Sequence, residues 1–213
     1  MDAEFWHQRW EANQIGFHGD EANPMLVRHL DKLSLTQGNR LFLPLCGKTL
    51  DIAYILSQGF RVVGIELSRI AIEQLFNELR VTPDITEVGN LTWYSTDDLD
   101  IYVGDFFTFS ASIMGPVDAI YDRAALVALP EDMRTRYTTH LTEITDNAPQ
   151  LLISFEYDQA LTEGPPFSVS NKEINKHYCD SYQLTLLESI DVPGGLRGKV
   201  PAKENTWLLN QIQ

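Results

Sequence analysis

Chemistry in this sequence concentrates at the ends of its apolar runs. Glu66 closes the run Arg61-Val62-Val63-Gly64-Ile65-Glu66-Leu67, about 20 residues after the turn that follows an earlier run, the spacing at which nucleotide-binding sheets set an acid on ribose hydroxyls. A carboxylate there accepts two hydrogen bonds from a vicinal diol. The alternative is an acid that favours the positive N-terminus of the next helix, and spacing fits both. Asp105 follows Leu99-Asp100-Ile101-Tyr102-Val103-Gly104 and could hydrogen-bond an adenine amino group, with Phe106 and Phe107 as flat apolar surface. Asp105 as a turn residue and the two phenylalanines as core is the other reading, and the two are compatible. Arg123 ends Pro116-Val117-Asp118-Ala119-Ile120-Tyr121-Asp122. A guanidinium there is costly to desolvate unless an anion meets it, either a ligand or a neighbouring acid such as Asp122.

The turn Pro44-Leu45-Cys46-Gly47-Lys48 lacks the G-x-G-x-x-G pattern that brings a pyrophosphate against backbone N–H groups, which argues against NAD and FAD. Lys48 stands outside any G-x-x-x-x-G-K-[ST] loop, so a nucleotide triphosphatase is disfavoured. Gly47 still permits a close backbone approach by a small ligand. Cys46 and Cys179 are far apart and lack zinc or redox spacing. His7, His18, His29, His140 and His177 are scattered, so no metal site is expected. Phe5, Trp6, Trp10 and Phe17 fall in a lead segment, 1–36, where aromatic rings either form a lid over a bound ligand, gaining cation–π attraction if it is positively charged, or pack against the domain.

These positions need a scaffold, and the periodicity supplies one. Arg40-Leu41-Phe42-Leu43-Pro44-Leu45 reads as a buried strand, 49–58 as a helix and 61–67 as a second strand, together a βαβ unit. Ser68 can cap the next helix. Further strands are expected at 99–103, 116–121 and Gln150-Leu151-Leu152-Ile153-Ser154-Phe155, with helical residues at 131–147 and 171–178. Gln183–Glu188 and Asn205–Asn210 have no room between them for a crossover helix, which predicts an antiparallel hairpin. The expectation is an α/β fold: a doubly wound, mostly parallel seven-stranded sheet with an antiparallel C-terminal hairpin, in one domain spanning 1–213. Ligands in such sheets bind at the carboxyl ends of the strands, near the point where strand order reverses.

Composition narrows the partners. A chain of 213 residues with 44% hydrophobic content and net charge -14 repels phosphate backbones and anionic lipid, so neither nucleic acid nor membrane is an expected partner. The opening residues show neither a basic n-region nor an apolar h-region, and no run approaches the roughly 20 apolar residues of a membrane span. A cytoplasmic location is expected, and nothing in the sequence calls for more than a monomer.

Several stretches together carry a family resemblance: Phe5-Trp6-His7-Gln8-Arg9-Trp10, Gly16-Phe17-His18, Leu43-Pro44-Leu45-Cys46-Gly47-Lys48, Val62–Ser68, Asp122-Arg123-Ala124-Ala125-Leu126-Val127-Ala128 and Gly164-Pro165-Pro166-Phe167. The pattern resembles the thiopurine S-methyltransferase family over nearly the whole chain. The resemblance implies the S-adenosylmethionine-dependent methyltransferase type of sheet and S-adenosyl-L-methionine as methyl donor, bound by Trp10, Leu45, Glu66 and Arg123, with Leu45 acting through its backbone. It further implies that Asp105 and Phe106 flank the adenine, and that Phe17 and Arg197 face the acceptor. The implied reaction is S-methylation of thiopurines and related aromatic or heterocyclic thiols, with selenium and tellurium compounds as a cellular setting. Methyl transfer from a sulfonium is accelerated largely by alignment, so no dedicated general base is expected, and Arg123 is assigned to hold the anionic acceptor. The competing readings are a nicotinamide-dependent oxidoreductase, supported only by Glu66, and a non-enzymatic binding protein.

Overall fold

The computed structural model describes residues 3–16 and 19–212. Nine strands form one sheet: β1 (Arg40–Pro44), β2 (Arg61–Glu66), β3 (Asp84–Val88), β4 (Leu91–Ser95), β5 (Leu99–Val103), β6 (Ala119–Arg123), β7 (Gln150–Tyr157), β8 (Tyr182–Asp191) and β9 (Ala202–Gln211), in the order β3-β4-β5-β2-β1-β6-β7-β9-β8. The segment β5-β2-β1-β6-β7 is parallel throughout. β7, β9 and β8 are antiparallel, as the missing crossover predicted.

All seven expected strands are present, and β3 and β4 add an antiparallel pair at the opposite edge. The sequence conceals this pair for a physical reason. β3 is exposed along nearly its whole length, so Asp84-Ile85-Thr86-Glu87-Val88 needs no apolar alternation. Its only strong signal is the two-residue Gly89-Asn90 connection, with Gly89 at φ +61, typical hairpin chemistry.

Helices cover both faces. α2 (Pro24–His29), α3 (Asp51–Ser57) and α4 (Arg69–Leu79) pack Met25, Leu26, Ile52, Ile55, Ile72 and Phe76 against Leu41, Val62, Ile101 and Ile153. On the other face α5 (Ala111–Met114), α6 (Glu131–Ile144) and α7 (Asn171–Tyr178) bring Met114, Tyr137, Leu141, Ile174 and Tyr178 onto Phe42, Ile65, Ile120 and Leu152. Burial on both sides explains the nearly unbroken apolar runs of β1 and β7. The Ser68 hydroxyl accepts from Ala71 N at 3.3 Å and caps α4 as its sequence predicted.

The lead segment divides in two. α1 (Ala3–Glu11) lies over the carboxyl edge of the sheet beside α4, whereas α2 and the 3-10 turn Leu30–Leu33 are part of the core. Asn23 anchors the junction: its Oδ1 accepts from Met25 N at 2.8 Å to cap α2, while its own N–H donates to Asp51 Oδ1 at 2.6 Å.

Candidate functional site

β1 leads to β2 and β5 on one side and β6 leads to β7 on the other, so strand order reverses between β1 and β6. At that point two non-glycine residues take left-handed backbone conformations, Leu45 at φ +47 just after β1 and Ala124 at φ +60 just after β6. Such conformations persist only where the surrounding structure enforces them, and they cluster at ligand sites. A cleft of about 780 Å³ opens above them, within the usual size for small-molecule pockets. Its walls bring together Trp10, Leu45, Glu66, Asp105, Phe106, Arg123 and Arg197, although they are spread from α1 to the β8–β9 connection. Phe17 lies outside the described residues.

Glu66 at the end of β2 is 6% exposed. Its Oε2 accepts from Gly47 N at 2.8 Å and its Oε1 from Ser68 N at 2.9 Å, so one carboxylate joins the turn after β1 to the start of α4. An ionised carboxylate has about four lone-pair sites, and two remain for a ligand. Burial pushes its carboxyl above the ordinary value, opposed by the N–H donors of Ser68 and Gly47. Gly47 stands at φ +53, and a Cβ there would meet the Trp10 ring at 3.1 Å. The glycine therefore serves both the turn and the seating of Trp10, itself 4% exposed.

The structural reading of the turn after β5 holds. Asp105 is a turn residue whose Oδ1 accepts from Phe107 N at 2.9 Å, and Phe106 is core, packed on Tyr137 with ring centroids 5.0 Å apart; both also line the cleft. His140 Nε2 lies 3.1 Å from Phe106 O and 2.9 Å from Phe109 O and ties that turn to α6. Arg136, which the sequence did not single out, lies over the Phe107 ring at 3.8 Å.

Arg123 has no ion pair with Asp122. Successive residues of a strand point to opposite faces, and the Asp122 carboxylate is turned into the other core, accepting from Leu126 N at 3.1 Å and Tyr137 Oη at 2.8 Å. Burial lifts the Asp122 carboxyl to about 6 against those two bonds. Among the described residues no ion pair or side-chain hydrogen bond engages Arg123, so a half-buried cation faces the cleft without a close counter-ion. Arg197, at φ +53 in the β8–β9 connection, donates to Pro165 O at 2.6 Å, which docks that loop on the Gly164-Pro165-Pro166 wall.

Arg9, Lys48, Arg123, Arg136 and Arg197 line the cleft against Glu66, Asp105 and Glu204. In a chain of net charge -14, this concentrates positive charge where an anion would enter. Glu204, in β9, was missed because the expected strand began one residue later and a lone acid in a terminal hairpin carries no motif. No group of three or more potential metal ligands is found among the described residues. No described helix is long and apolar enough to cross a membrane.

The cleft suits an adenosyl sulfonium amino acid. Glu66 has acceptor sites for a diol, Phe106 supplies an apolar wall beside Asp105, and Arg123, without an ion pair among the described residues, suits a carboxylate or another anion. A 1,6-didemethyltoxoflavin-N1-methyltransferase from Burkholderia thailandensis, solved with bound 1,6-didemethyltoxoflavin and S-adenosylhomocysteine, shares the fold at TM-score 0.63 and 15% identity, over 98% of this chain and 87% of that one. A TehB-like SAM-dependent methyltransferase from Corynebacterium glutamicum matches at TM-score 0.57 and 14% identity, over 99% and 98%. Both neighbours are methyltransferases, and what this chain shares with them is the fold: an α/β sheet of the S-adenosylmethionine-dependent methyltransferase type.

The sequence relatives narrow the class. The thiopurine S-methyltransferase (TPMT) family model matches residues 1–209. A thiopurine S-methyltransferase of Xanthobacter autotrophicus is 53% identical over 99% of this chain and 100% of its own length. Another, of Gluconobacter oxydans, is 47% identical over 99% and 96%. The chain belongs to the thiopurine S-methyltransferase family.

Proposed function

We propose that this enzyme methylates the sulfur of thiopurines and related aromatic or heterocyclic thiols. The observation that carries the reading is Arg123, a cation at the carboxyl end of β6 that faces the cleft with no ion pair among the described residues. S-adenosylmethionine supplies, when bound, an electrophilic methyl on a sulfonium. Trp10, Glu66, Asp105, Phe106 and the strained backbone at Leu45 hold the donor: Glu66 takes the ribose hydroxyls, Asp105 and Phe106 the adenine. Arg123 holds the anionic acceptor and Arg197, docked on Pro165, closes the acceptor end. Alignment of reactants can be worth on the order of 7–11 kcal/mol in well-oriented systems, and alignment is the kind of contribution these residues make.

α1 and residues 12–16 form the lid of this reading. Ala3, Trp6, Arg9, Trp10, Gln14 and Gly16 face the cleft, and Trp6 is braced by Phe5 with ring centroids 5.3 Å apart. The lid excludes water from the charge-neutralising step. Selenols are softer and more acidic than thiols, so the same site accepts them, and methylation of selenium or tellurium compounds is the cellular setting we propose.

Calorimetric titration with S-adenosylmethionine and S-adenosylhomocysteine, followed by addition of 6-mercaptopurine and mass spectrometry, tests the proposal. Binding with methylated product supports it. Binding without product points to another acceptor or to sequestration, and no binding removes the assignment of the cleft.

A further inference from the structure

The strand register places a second charged group on the face that carries Arg123. Arg123 lies beside Ile153 of β7, Ile153 opposite Thr206 of β9, and Glu204 two residues further along, opposite Phe155. Residues paired across strands, or two apart along one, share a face. Arg123, Ile153, Phe155 and Glu204 therefore rise from one patch, and all four line the cleft. Two strand spacings and two residues of rise put the two charged residues' Cα atoms on the order of 12 Å apart. The head groups feel each other electrostatically, yet no ion pair joins them among the described residues. Both face the same cleft.

The Glu204 carboxylate is held in place. Its Oε1 accepts from Asn23 Nδ2 at 3.4 Å, and Asn23 is itself fixed to Asp51 and Met25. Its Oε2 receives no hydrogen bond from the described residues and is available to a ligand. Burial raises its proton affinity, while Asn23, Arg123 and Arg28 lower it and Asp51 raises it again. The balance leaves a carboxyl above its ordinary value of 4.5, which is the direction that makes a carboxylate a better base near neutral pH.

We propose that Glu204 is a catalytic residue that takes the ionisable proton of a neutral acceptor while Arg123 holds the sulfur. This deepens the thiol reading and rests on it, and it departs from the sequence expectation that no general base exists. The proton on sulfur, or on the ring nitrogen of the thione tautomer, passes to Glu204 Oε2. The electron pair left on sulfur forms the new carbon–sulfur bond. The sulfonium carbon–sulfur bond breaks, its pair returns to the donor sulfur as a neutral thioether, and Glu204 releases its proton to solvent. An acceptor that offers N–H beside C=S fits a carboxylate and a guanidinium on either side, so heterocyclic thioamides are the favoured class.

The test compares wild type, Glu204→Gln and Glu204→Asp with two acceptors: 6-mercaptopurine below the pH at which it ionises, and a nitro- and carboxyl-substituted thiophenol that is a thiolate throughout. Calorimetry with S-adenosylhomocysteine reports whether the donor site of each variant is intact. General base catalysis is worth about 10²–10⁴-fold, so Glu204→Gln is expected to lose at least about 100-fold in kcat/KM with neutral 6-mercaptopurine. The loss with the thiolate is expected to be smaller by about tenfold or more. In the Gln variant the pH profile for 6-mercaptopurine should follow the ionisation of the acceptor itself, and Glu204→Asp should recover part of the rate. Equal losses with both acceptors, or none, in variants that bind S-adenosylhomocysteine normally would overturn the inference and leave the thiol reading standing. A wild-type enzyme inactive on both acceptors would overturn that reading, and the inference with it.

Discussion

Replacing Glu66 by Gln alters one oxygen for one nitrogen in the wall of the cleft, where we propose that the donor binds. The carboxylate accepts from Gly47 N at 2.8 Å and Ser68 N at 2.9 Å, one bond per oxygen. Gln has a single acceptor oxygen, and its amide nitrogen cannot accept. One of the two backbone N–H groups must lose its partner, a cost of about 1–3 kcal/mol in stability for a buried donor. The same substitution removes acceptor sites from the ribose diol. A hydrogen bond to a charged group is worth about 1.5–3 kcal/mol, or roughly ten- to 150-fold in Kd at 1.4 kcal/mol per decade. Calorimetry with S-adenosylhomocysteine measures the second quantity and urea unfolding the first. A destabilised variant with Kd within about threefold of wild type would refute the ribose role and leave Glu66 a structural link. Because burial raises the Glu66 carboxyl, affinity in the wild type should also weaken as pH falls through that raised value, and this dependence should vanish in the variant.

Arg123→Lys keeps the charge and loses the planar fork, so kcat/KM with an aromatic thiol should fall about tenfold or more, roughly 1.4 kcal/mol; full turnover would count against its role. Asp122 has its carboxyl raised from 3.8 to about 6 in the folded state, so it favours folding at low pH and this contribution is lost as pH rises through 6. By linkage, lowering the pH from about 7.5 to about 5.2 should add about 1 kcal/mol of stability from this group, and urea unfolding of Asp122→Asn should lack that increment; an unchanged pH difference would refute the assignment. Gly47→Ala puts a Cβ 3.1 Å from Trp10 at φ +53. The left-handed backbone alone costs about 1–2 kcal/mol. Stability should drop by at least that amount, with a change in Trp fluorescence and weaker S-adenosylhomocysteine binding, whereas unchanged values would show that Trp10 is not seated on the glycine.

The sequence by itself determined the parallel core and its active edge. Strands buried on both faces must be written as unbroken apolar runs, so β1, β2, β6 and β7 were legible, and the polar residues that end them, Glu66 and Arg123 among them, marked the carboxyl edge. Asp105 was legible as a turn acid at the end of an apolar run, and that same position is what sets it in the wall of the cleft. Other features had no local signature. β3 is a solvent-washed edge strand held by backbone pairing to β4, and backbone pairing leaves no pattern in side-chain type. The freedom of Arg123 was undecidable from sequence because Asp122 is its neighbour in the chain, and only the alternation of the pleat sends that carboxylate to Tyr137 on the far side of the sheet. Glu204 is 81 positions from Arg123 in numbering and shares its patch only through the register of β6, β7 and β9. Residue types fix what each group can do, but which charges meet, and which are left facing the cleft, is decided by strand order and register, which no local stretch of the chain contains.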